Sequence, residues 1–137
     1  MNKYMRGFTL IELMIVLSII AIIIALGYPS YRDHVMRSHR AEGMGELLDL
    51  ADRLERFYSD QGTYAGATLG NAATDLRPVA TDKGNYNLAI TAQDAISFTV
   101  TAAPQDEQAN DKCGTFTLTS LGQKSVSGSL PNEQCWK

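Results

Sequence analysis

The chain is poor in the residues that chemistry usually needs. Its 137 residues include two cysteines, two histidines, one tryptophan and four prolines. No HExxH helix, nucleophile elbow or phosphate-cradling glycine loop is present, so the sequence does not read as an enzyme and implies no cofactor. No histidine or further cysteine lies near Cys113 and Cys135, which argues against a metal there. The carboxylates of residues 106–111 do not have EF-hand spacing and read as a solvated turn. His34 and His39 fall on the polar part of a helical pattern and read as a solvated face. Excess positive charge is also missing: the formal net charge is −3. Beyond residue 60 the basic residues are Arg77, Lys83, Lys112, Lys124 and Lys137, outnumbered by acidic ones. That excludes a broad nucleic-acid surface and leaves room only for a local basic patch.

Charge is absent altogether from Leu13 to Tyr28. Counted from Phe8, the apolar run is 21 residues long. As a helix it would span about 32 Å, enough to cross a bilayer core of roughly 30 Å. Glu12 is the one carboxylate inside it, at an insertion cost of about 2.5–3.5 kcal/mol, so it needs a partner. Three readings compete for this start. Lys3, Arg6 and the small residues near Ala25 and Gly27 suit an ordinary secretory signal. A plain membrane anchor with a stray glutamate is the second. The third is a signal cut after Gly7 that leaves the apolar segment on the mature chain.

After Pro29 the pattern stays helical to about Ser59. Met44, Leu47, Leu48, Ala51, Leu54 and Tyr58 form an apolar stripe, widened by Leu50 and Phe57. Pro29 removes a backbone hydrogen bond, so a helix break or bend is expected there, and Gly43 with Gly45 forms a second weak spot. Two separate helices are the alternative. Residues 60–85 read as a loop. Period-2 alternation then marks strands at 86–91, 96–101 and 115–119, with a hairpin tip at Gln93-Asp94 and a short fourth strand near 124–127. One apolar and one threonine-rich face imply an antiparallel sheet, about 86–127, whose apolar side meets the helix stripe. The expected fold class is α+β. In an oxidising compartment Cys113 and Cys135 would form a bridge closing a loop of about 22 residues, worth roughly 3 kcal/mol; two free thiols are the alternative.

The run Gly7-Phe8-Thr9-Leu10-Ile11-Glu12-Leu13-Met14-Ile15-Val16 closely resembles the class III signal of type IV pilins. Tyr28-Pro29-Ser30-Tyr31, residues 37–43, residues 53–59, Cys113-Gly114-Thr115-Phe116 and the ending Cys135-Trp136-Lys137 resemble the PilE type of type IVa minor pilins. The resemblance implies a ladle-shaped subunit. Residues 1–7 would be a leader removed by prepilin peptidase between Gly7 and Phe8, with Phe8 then N-methylated. Residues 8–29 would be the membrane and filament-core segment, and residues 30–137 the head, with a disulfide loop over 113–135. Glu12 would face the Phe8 amine of a neighbouring subunit during assembly. Partners would be other pilins, the inner-membrane assembly machinery and the processing enzyme. The protein would sit in the inner membrane as a single-pass subunit and then in an extracellular filament serving adhesion, twitching motility or DNA uptake. Many pilins have a glycine where this chain has Ala21.

Two alternatives stand beside a minor pilin. A DNA-receptor pilin for transformation would carry a local basic strip at Lys112, Lys124 and Lys137. The other is a major pilin or a type II secretion pseudopilin. The cysteine pair weighs against the pseudopilin, because main pseudopilins typically lack such a bridge.

Overall fold

The structure, a computed structural model, describes residues 7–137. The expected leader, apart from Gly7, lies outside the described residues. Helix α1 runs Leu10–Gln61, followed by strands β1 (Tyr86–Gln93), β2 (Phe98–Pro104), β3 (Phe116–Thr119) and β4 (Lys124–Val126), and a short helix α2 (Asn132–Cys135). A 3₁₀ turn at Asp106–Asn110 lies between β2 and β3. The chain divides into two compact units at Val35/Met36, and α1 contributes to both.

In the first unit the apolar side chains from Phe8 to Leu26 are exposed. This part of α1 is long and apolar enough to cross a membrane. The helix is continuous through Pro29, so the break expected there is absent, as is a division into two helices. A proline costs the carbonyl four residues back its hydrogen bond, but propagation on both sides carries a helix this long across one missing bond.

In the second unit α1 packs on a four-stranded antiparallel sheet of order β1-β2-β3-β4. The helix buries Gly43, Leu47, Leu50 and Leu54, a four-three-four spacing that keeps one face inward. Leu48, expected in the stripe, is largely exposed, and Leu50 takes the centre. A helix meeting a sheet buries a narrower arc than the sequence stripe offers. Opposite lie Tyr86, Leu88, Phe98, Val100, Ala102, Phe116 and Leu118, the inward set of the alternation. The intervening Thr99, Thr101, Thr117 and Thr119 are only partly exposed.

One departure from the sequence reading has a local cause. Ile96, expected to point inward on β2, lies in the β1–β2 turn and is 78% exposed. The Asp94 carboxylate accepts the N–H groups of Ile96 and Ser97 at 2.8 and 2.7 Å, which closes the turn before β2 starts at Phe98. The loop after α1 also takes part in the core. It contributes Tyr64 and Ala67 to the core and buries Arg77 against Glu46 and Asp49 of α1.

Candidate assembly segment and nucleic-acid interface

Gly7 and Phe8 precede the helix and are exposed. Thr9 opens it with a reciprocal cap. The Glu12 Oε2 accepts the Thr9 backbone N–H and the Thr9 hydroxyl, both at 2.9 Å, while the Glu12 N–H donates to the Thr9 Oγ1 at 3.3 Å. This is a capping box, and it gives Glu12 a partner within its own chain. Thr9 is missing from the site expected on sequence grounds, although a threonine three residues before a glutamate at the start of an apolar run is its signature.

In the head, Cys113 and Cys135 form a disulfide with Cα atoms 5.8 Å apart. It joins the segment before β3 to α2 near the chain's end. Lys112 precedes the first cysteine and Lys137 follows the second by two residues, so the bridge ties both to one region. Lys124 arrives from β4: its Nζ lies 5.1 Å from the centre of the Trp136 ring. That tryptophan sits edge-on to Phe116, and its Nε1–H donates to the Ser125 carbonyl at 3.3 Å. All three lysines are exposed. The free edge of β4 is closed by Asn132, whose Oδ1 accepts the Val126 N–H and whose Nδ2 donates to the Lys124 carbonyl. An amide side chain thus stands in for a neighbouring strand.

Beneath this surface lies a buried polar network. Arg40 of α1 makes a two-pronged ion pair with Asp111, at 2.7 and 2.5 Å. The Asp111 carboxylate also accepts the Cys113 N–H at 3.3 Å, so the pair anchors the turn that carries Lys112. The Gln108 Nε2 lies within hydrogen-bond reach of the Tyr86 hydroxyl (2.9 Å), Asp111 (3.2 Å) and the Met36 carbonyl (3.1 Å). His39 Nδ1 is 3.1 Å from Gln108 Oε1, so this histidine is not on the solvated face expected for it. Of residues 106–111, expected as a solvated turn, Asp106, Glu107, Ala109 and Asn110 are exposed, whereas Gln108 and Asp111 are buried. Burial pushes the Tyr86 phenol up to about 12, so it stays protonated. Among the described residues no cluster of histidine, cysteine and carboxylate side chains is arranged to hold a metal ion.

Residues 29–117 match the family described as "Type IV minor pilin ComP, DNA uptake sequence receptor", and residues 2–28 match the "Prokaryotic N-terminal methylation motif". The chain is 33% identical over 134 residues to the type IV major fimbrial protein FimA of Dichelobacter nodosus, covering 95% of this chain and 76% of that one. Matches to other fimbrial proteins span from 50% to 61% of those proteins' lengths. Among solved structures, the non-core minor pilin PilV of Neisseria meningitidis has the same fold, with a TM-score of 0.55 at 23% identity over 72% of this chain and 92% of that one. A type IV pilin from Shewanella oneidensis aligns with a TM-score of 0.50 at 27% identity, over 74% and 98% of the two chains.

Proposed function

Since the chain belongs to the type IV minor pilin ComP family and is a type IV pilin subunit, we propose that it is a DNA-binding minor pilin whose head captures duplex DNA on Lys112, Lys124 and Lys137. The observation that carries this reading is the gathering of three exposed lysines about the Cys113–Cys135 bridge in an otherwise acidic protein. A small basic patch on an acidic body attracts phosphate locally without coating the whole head in nucleic acid. The match to a family described as a DNA uptake sequence receptor points the same way.

The N-terminal segment supplies the route to the filament. Prepilin peptidase cuts after Gly7, and the new Phe8 amine is methylated. Residues 8–29 hold the subunit in the inner membrane as a single span before assembly. In the filament core the Glu12 carboxylate leaves its own Thr9 for the Phe8 amine of a neighbour. An opposed charge pair satisfies both groups in an apolar surrounding and sets the axial register.

The test is a fluorescence-anisotropy titration of a labelled duplex with the full chain in detergent micelles, repeated over a range of salt. Alanine at Lys112, Lys124 and Lys137 together should weaken binding and lower the log–log salt slope by about 3, near one unit per phosphate contact. Absence of binding by the parent protein, or an unchanged slope in the triple variant, would refute the reading.

A further inference from the structure

Ile96 and Leu121 are the two most exposed large apolar side chains described in the unit Met36–Lys137, at 78% and 84%. Ile96 occupies the β1–β2 turn and Leu121 the β3–β4 turn. The pairing of Gln93 with Phe98 and of Thr99 with Thr119 places both turns at the same end of the sheet. They are also tied to each other: the Ser120 N–H donates to the Phe98 carbonyl at 3.0 Å.

Both tips are held stiffly. Asp94 fixes the first through its bonds to Ile96 N, Ser97 N and the Ser97 hydroxyl. In the second, Gly122 takes φ +76°, its N–H donates to the Thr119 carbonyl, and the Gln123 N–H donates to Thr119 Oγ1. Neither aliphatic side chain is a member of the core cluster. Lys124 follows Leu121 by three residues and pairs with Leu118 at the tip end of β3, so this lysine of the proposed surface adjoins the tips, while Lys112 lies beyond the other end of β3. With strands about 4.8 Å apart, two neighbouring hairpin tips lie roughly 10 Å from each other, close to the ~12 Å width of a DNA major groove. In that groove the apolar group a duplex offers is the thymine methyl.

We propose that Ile96 and Leu121 are the base-reading element of the DNA site, contacting thymine methyl groups in the major groove while Lys124 holds the flanking phosphate. This rests on the DNA-binding reading above and adds sequence discrimination to it. Lysines on phosphates supply affinity without sequence information, whereas apolar contacts at base edges supply preference with no dependence on salt.

The experiment uses the full chain in micelles, with a preferred duplex selected from a random library, its scrambled counterpart, and the preferred duplex carrying deoxyuridine for thymidine. Ile96→Ser with Leu121→Ser should leave the melting temperature and the salt slope unchanged while cutting the preference for the selected duplex about tenfold. The parent should lose a similar factor on the deoxyuridine duplex, and the double variant should be indifferent to that change. Full preference in the double variant, or a parent that binds with no preference, would overturn the inference and leave the DNA-binding reading standing. A parent that binds no duplex would overturn both. A double variant that changes only self-association would overturn the inference too, and would assign the tips to contacts between copies of the chain.

Discussion

Gly43 lies under the ring of Tyr86: a Cβ at position 43 would stand 2.9 Å from both Cδ2 and Cε2 of that ring. The glycine therefore sets how closely α1 approaches β1. It also keeps the Tyr86 hydroxyl where Gln108 reaches it. In the sequence this position reads as a helix weakness, and in the fold it is a site of close packing.

Alanine at the two neighbouring helix glycines should act in opposite directions. Gly43→Ala forces the buried ring to move and should cost about 1–3 kcal/mol. At Gly45 a Cβ would meet nothing within 4 Å, so Gly45→Ala should stabilise by about 0.5–1 kcal/mol through helix propensity. Urea unfolding of the full chain in micelles, followed by near-ultraviolet circular dichroism, would show both. Equal effects would mean that Tyr86 does not sense position 43.

The Arg40–Asp111 pair is nearly buried on both sides, with side chains 13% and 1% exposed. Replacing Arg40 with alanine leaves the carboxylate without its countercharge and should cost about 3–5 kcal/mol. Arg40→Met with Asp111→Leu should cost much less than the sum of the two single changes. A double-mutant cycle in urea reads the coupling, and additive single effects would show that the pair contributes nothing jointly.

Thr9 and Glu12 should separate capping from assembly. Thr9→Val removes the side-chain half of the cap, worth about 1 kcal/mol at the helix start, and should leave most filament incorporation in place. Glu12→Gln should enter the membrane normally but be poorly recovered in filaments, because the charge that would face a neighbour's Phe8 amine is gone. Immunoblots of membrane and sheared-filament fractions would compare them. Normal recovery of Glu12→Gln in filaments would end the charge-pair account.

Acid should loosen the head through three carboxylates. The Ile96 N–H, followed by Ser97, holds Asp94 below its ordinary value, and the Thr68 hydroxyl with the Ala72 N–H does the same for Asp75. For Glu42, desolvation acts upward, but hydrogen bonds from Asn85, Thr81 and Lys83 together outweigh it and lower the pKa. Folded values below unfolded ones give a contribution that is complete above the unfolded pKa, about 4, and is lost as pH falls through the folded values. The urea midpoint should therefore fall below about pH 4. A midpoint at pH 3 equal to that at pH 6 would contradict this.

Spacing along the chain settles whatever depends on neighbours a few residues apart. The apolar run with Glu12 near its start and the inward set Tyr86, Leu88, Val100, Phe116 and Leu118 follow from the sequence alone, because helix and strand each impose a short fixed period. The Thr9–Glu12 cap is equally legible, since its partners are three residues apart. The rest waits for the tertiary fold. Arg40 and Asp111 meet across 71 positions, Gln108 links the 3₁₀ turn to Met36 across 72, and Lys124 finds Trp136 only because α2 returns along β4. Gly43 is a packing surface, and Ile96 turns outward, because the position of the opposing strand and the closure of one turn settle which side chains find room inside. Such choices rest on steric fit and on pairing of buried polar groups, and both exist only once distant segments are in contact.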